Sequence, residues 1–153
     1  MPMGDILRRS AGKYPRKIAL ICEDRRLTYE ELNLRVNRLA NSLLERGLRK
    51  GDRIAAVLHN SIEFIELYFA SAKSGAIFVP INNLLREGEL MGVLRYIEPR
   101  FLFVDPDYER ITGGVRDEVR SLETFVSLKE SCSPPFISYK DLFDRNNVDE
   151  PVT

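Results

Sequence analysis

The chain has 153 residues, a mass of 17.6 kDa and 23 basic against 23 acidic residues. Its composition, 44% hydrophobic and 30% charged, excludes wholesale disorder, and zero net charge excludes a polyanion binder as the leading reading. No apolar run reaches the roughly 18–20 residues of a membrane span, and residues 1–12 lack the apolar block of a secretion signal, so a cytoplasmic single domain is expected.

In chain order, residues 3–13 read as a short helix. The apolar run 18–22 and the pair Leu27-Thr28 flank a polar turn, so residues 18–28 predict a small hairpin. Residues 29–46 predict a long amphipathic helix, because Leu32, Val36, Leu39, Ala40, Leu43 and Leu44 share one face at helical spacing. Thr28 and Glu31 form a capping box at its start, with Leu27 and Leu32 as the hydrophobic staple, and Gly47 stands where a helix-ending glycine belongs. A buried strand is expected at 54–58. The helix 61–73 is apolar on nearly all sides and therefore covered; Asn60 is its expected cap, with Glu63 answering three residues on. Gly75 ends that helix, Lys73 suits the negative end of its dipole, and 76–79 is the next strand, closed by Pro80.

The pattern repeats with a helix at 87–97, a stop at Pro99 and a strand at 101–104. A shorter polar helix is expected within 106–120, interrupted by Gly113-Gly114, followed by a strand at 124–126. Residues 130–138 read as a Ser/Pro-rich loop, 139–144 as a turn of helix, and 146–153 as a polar tail. Strands apolar on both faces, joined through helices, define a doubly wound α/β fold with a mainly parallel sheet and a small N-terminal hairpin.

Catalytic residue types are scarce. Cys22 and Cys132 lie far apart with no CxxC, which excludes a disulfide framework or zinc ribbon. His59 is the single histidine, too few for a histidine metal site, and at a strand end it reads as structural. Glu63 and Glu66 lack an acid partner at fixed spacing, so neither reads as a general base. No glycine-rich phosphate loop is present. Charge is uneven, with a balance of +6 over residues 1–60 and −6 over 61–153, but the basic positions carry no aromatic interleaving and read as solvated faces. The residues by themselves describe an α/β domain with no visible catalytic apparatus.

Five segments in order nevertheless resemble a known family: LTYEELN (27–33), NRLANSLLERGLRKGDRIAAVLHNSIEF (37–64), ASAKSGAIFVPIN (70–82), the Glu-Leu pair at 89–90, and FLFVD (101–105). Together they are similar to the opening segment of the AMP-forming adenylating enzymes, which include acyl-CoA synthetases, luciferase-like ligases and peptide-synthetase adenylation domains. LTYEEL matches the first core motif of that family and AKSGAIFVP the second, with Ser74 where alanine is more usual. The resemblance covers roughly residues 5–105. NSIEF and VPINN lie closer to the fatty-acyl and aryl-CoA branches than to the peptide-synthetase branch.

The resemblance implies an enzyme that uses ATP and Mg²⁺ to activate a carboxylic acid, favoured to be a fatty acid, as an acyl-adenylate that coenzyme A then captures. It implies no catalytic or metal-binding residue within this chain. The phosphate loop, the acidic residues that hold ribose and magnesium, and the C-terminal lysine all belong downstream. The segment is therefore expected to be inactive alone, to pack against the remainder of its own ligase chain, and to self-associate when separated from it. The resemblance further implies that the CoA nucleotide lies near Asn82, Asn83 and Arg110. The alternatives are a segment of an adenylation domain that loads a carrier protein, and a non-catalytic α/β interaction module.

Overall fold

The computed structural model describes residues 3–143 and 147–152. Helix α1 (Met3–Lys13) leads to the antiparallel hairpin β1 (Ile18–Cys22) and β2 (Arg25–Thr28). Helix α2 (Tyr29–Glu45) then precedes the sheet. The sheet strands are β3 (Arg53–Val57), β4 (Ile77–Pro80), β5 (Phe101–Val104), β6 (Thr124–Ser127) and β7 (Phe136–Ser138), with α3 (Ile62–Ser74) and α4 (Glu87–Ile97) as the long crossovers. All the sheet pairings are parallel, in the order β4-β3-β5-β6-β7. The doubly wound fold expected from the sequence is thus the observed one.

The strand residues alternate between two cores, as a pleat requires. Ile54, Ala56, Phe101, Phe103 and Val126 face a cluster built with α1, α2 and α3. Ala55, Val57, Leu102, Val104 and Phe125 face a second cluster with Leu90, Met91 and Leu94 of α4. All four residues of β5 are buried, because this strand lies at the centre with a core on each side. Pro80 sits at the end of the edge strand β4 opposite Ala56, where a missing N–H is tolerated.

The helix starts and stops follow local chemistry. The Thr28 side chain accepts from the Glu31 N–H at 3.2 Å, and Glu31 accepts from the Thr28 N–H at 2.8 Å, which completes the expected capping box. Gly75 ends α3 in the left-handed region at φ 72°, where glycine carries no steric penalty.

Several expectations change. Ser61, not Asn60, caps α3: its hydroxyl accepts from the Phe64 N–H at 3.2 Å. Glu63 turns instead to Arg25 of the hairpin, at 2.7 Å. The segment expected as one short helix within 106–120 is three brief turns: a 3-10 turn at Pro106–Tyr108, α5 (Glu109–Thr112), and a second 3-10 turn at Gly113–Asp117. The expected loop 130–138 ends in strand β7, whose Phe136, Ile137 and Ser138 pair with Phe125, Val126 and Ser127. Lys73 does not merely face the helix dipole; its ammonium is buried against α2. Of the expected helical turn at 139–144, the described part is a 3-10 turn, Tyr139–Phe143.

Candidate functional site

The strand order places a switch point at one spot. The chain moves from β3 to β4 on one side, then crosses to β5 on the other, so the connections leaving the carboxyl ends of β3 and β5 diverge. In doubly wound sheets this switch point is where ligands bind. The loops that meet there are 58–61 after β3, 81–86 after β4, and the turn starting at Asp105 after β5.

Their polar groups are joined. Asp105 Oδ2 accepts from the His59 N–H at 2.5 Å, tying the β3 loop to the β5 loop. Asn83 Nδ2 lies 2.7 Å from His59 Nδ1. With its Nδ2 turned to the ring, Asn83 donates and His59 Nδ1 accepts. Tyr108 donates its hydroxyl to the Asn83 carbonyl at 2.8 Å, and its ring lies 5.9 Å from that of His59. Burial, followed by the charges of Asp105 and Asp107, pushes the Tyr108 hydroxyl above its ordinary value of 10, so it stays a donor. His59 is exposed, while Asn83, Asp105 and Tyr108 are half-buried.

The residues singled out in the sequence fare differently. Asn82 and Asn83 both fall at the switch point. Asn82 is exposed and turns its Oδ1 to the Leu84 N–H at 3.0 Å, which shapes the loop. Arg110 is exposed on α5, two residues past Tyr108, and takes no part in the His59–Asn83–Tyr108 set. Its turn is held in place: Ser127 donates to Glu109 Oε1 at 2.5 Å, and Thr112 donates to the Tyr108 carbonyl at 2.6 Å. His59, Asp105 and Tyr108 were not among the expected site residues. The available signal was their position directly after apolar strands in a doubly wound pattern.

A second polar group lies between α2, α3 and the 3-10 turn 139–143. Glu66 is fully buried, pairs with Arg35, and accepts from the Tyr139 hydroxyl at 2.6 Å. Burial, with Glu66 adding to it, pushes Tyr139 well above its ordinary value of 10. Glu66 is therefore engaged in structure, between Arg35 and Tyr139. Among the described residues no group of three metal-ligating side chains comes together. No helix among them is long and apolar enough to cross a membrane.

The structure is a doubly wound α/β layer with hydrogen-bonded polar loops at its switch point. The model of the AMP-binding enzyme family matches residues 7–150, and the chain belongs to that family. The crotonobetaine/carnitine–CoA ligase of Escherichia coli is 51% identical over 129 residues, which are 81% of this chain and 25% of that protein. The fatty acid–acyl-carrier-protein ligase ScoC of Streptomyces coeruleorubidus is 37% identical over 129 residues, 83% of this chain and 24% of that one. A solved protein described as a long-chain-fatty-acid CoA ligase from Rhodopseudomonas palustris superposes with a TM-score of 0.92 at 32% identity, covering 100% of this chain and 39% of that chain. The chain thus spans about a quarter of the length of these curated relatives.

Proposed function

We propose that this chain is the N-terminal part of an ATP-dependent, AMP-forming acid–thiol ligase, and that its switch-point loops form part of the surface that receives the nucleotide end of coenzyme A. The observation that carries this reading is the family match over residues 7–150, on a fold whose β3 and β5 connections part at a switch point, the place where doubly wound sheets take ligands. In the reaction, a carboxylate oxygen attacks the α-phosphorus of ATP and pyrophosphate leaves. The thiol sulfur then attacks the acyl carbonyl, loses its proton, and AMP leaves. ATP and Mg²⁺ serve the first step and the thiol acceptor the second.

The part these residues play is recognition. Asn82 presents an exposed amide, the His59 and Tyr108 rings offer aromatic surface, and Arg110 offers a guanidinium suited to a phosphate. Asn83 holds the His59 ring in place through its side-chain amide. A fatty acid is the favoured acid, because ScoC is named for one. A carrier-protein thiol is the second reading for the acceptor, supported by the same relative. In the ligase-competent protein, Arg110→Ala is expected to raise KM for CoA about tenfold with KM for ATP unchanged. An unchanged KM for CoA removes Arg110 from the site. Pyrophosphate exchange by the 153-residue chain alone would show that the adenylating residues are already present.

A further inference from the structure

Asn33, Asn37 and Asn41 recur at every fourth position and so form one stripe along α2. Asparagine is a poor residue for a helix interior, so a stripe of three calls for partners outside the helix. Residues 147–150 supply them. Asn41 Nδ2 donates to the carbonyls of Asn147 at 3.3 Å and Asp149 at 2.9 Å. Asn37 Nδ2 donates to the Val148 carbonyl at 2.9 Å and to Glu150 Oε1 at 3.3 Å. Asn33 Nδ2 donates to Glu150 Oε1 at 3.1 Å. The stretch therefore runs antiparallel to α2.

Lys73 reaches in from α3. Its ammonium donates to Asn33 Oδ1 at 2.8 Å, Asn37 Oδ1 at 2.7 Å and Glu150 Oε2 at 2.6 Å, which engages all of its donors. The Lys73 side chain is 3% exposed and that of Glu150 is 39% exposed. Burial outweighs the carboxylate's attraction and draws Lys73 below its ordinary value of 10.5. On the more open Glu150, the lysine and the two asparagine amides outweigh burial and hold it below 4.5.

These contacts have a consequence for the chain's path. Three of the bonds go to backbone carbonyls, so they hold the route of the polypeptide whatever side chains it carries. Ordering four residues costs roughly 1–2 kcal/mol each, which a loosely attached tail would not offset. We propose that Asn33, Asn37, Asn41 and Lys73 are positioning residues: they hold residues 147–150 in one path along α2, so that the polypeptide beyond residue 150 leaves the α/β layer at a fixed point and direction for the adenylation step. This rests on the ligase reading above.

The inference is tested at two levels. In this chain, backbone ¹⁵N order parameters at Val148–Glu150 are expected above about 0.8, falling below about 0.6 in the Asn37→Ala/Asn41→Ala double variant. A stretch already mobile in the wild type, or equally ordered in the variant, overturns the proposal. In the ligase-competent protein, Lys73→Met and Asn41→Ala are each expected to raise KM for ATP about tenfold, with KM for CoA within about twofold. Both constants moving together, or neither moving, overturns it. Asn41 donates to two backbone carbonyls of the stretch and carries no charge, so Asn41→Ala decides the matter if Lys73→Met fails to fold. A wild-type protein with no ATP–pyrophosphate exchange sinks the ligase reading, while the order parameters still decide whether the stretch is held.

Discussion

Helix α3 joins two polar regions of opposite character. At its N-terminal end stand the Ser61 cap and the strand-end loops, where His59 and Asn82 are exposed and Asn83, Asp105 and Tyr108 half-buried. Farther along, Glu66 and Lys73 are buried, each with its hydrogen-bonding capacity engaged by α2, Tyr139 or Glu150. Ser61 and Lys73 are separated by about 18 Å of helix. A buried polar group must find partners within the fold, so it reports architecture. An exposed one keeps capacity for a ligand. The contrast teaches that the charged residues with the most elaborate contacts are here the structural ones, and that the plainer strand-end loops are the ones left with polar groups facing solvent.

Three substitutions test that division. The largest effect is expected from Glu66→Ala, which strands the Arg35 guanidinium and the Tyr139 hydroxyl; urea denaturation should show a loss of about 3 kcal/mol. A loss below about 1 kcal/mol would mean that the buried group does not anchor α2 to α3.

Tyr139→Phe removes one donor to Glu66 and should destabilise by about 1.5 kcal/mol at neutral pH. Its pH dependence has a definite sign. The folded value of Tyr139 lies above the ordinary 10, so its contribution is complete below pH 10 and is lost as pH rises towards the folded value. The stability difference between wild type and variant should therefore shrink above pH 10. A difference that grows there would contradict the buried, neutral hydroxyl.

The smallest effect is expected at the strand ends. His59→Ala should change stability by no more than about 0.5 kcal/mol, because the ring is exposed. A loss comparable to that of Glu66→Ala would erase the distinction between the two regions.

Much of the fold was legible because it follows from short-range chemistry. Thr28 and Glu31 set the start of α2, Gly75 sets the end of α3, and apolar runs between helices imply a parallel sheet. The choice of Ser61 over Asn60 was not legible, because adjacent residues of equal capping ability are separated only by how the chain enters the helix. Strand β7 was hidden: three residues after a proline pair carry no periodic signal, and only their pairing with β6 makes them a strand. At the strand ends, Asn82 and Asn83 were found through family resemblance, whereas His59 and Tyr108 emerged only when distant loops met.

The sequence by itself determined the long helices, the central strands, the doubly wound class and membership of a family, since each depends on residue types at short spacing or on motifs in order. Only the tertiary structure decided what Lys73 does. Read locally, it is a cation at the end of a helix. Its partners Asn33, Asn37 and Glu150 lie 40, 36 and 77 residues away, and a hydrogen bond between groups so separated exists only once the core has brought them together.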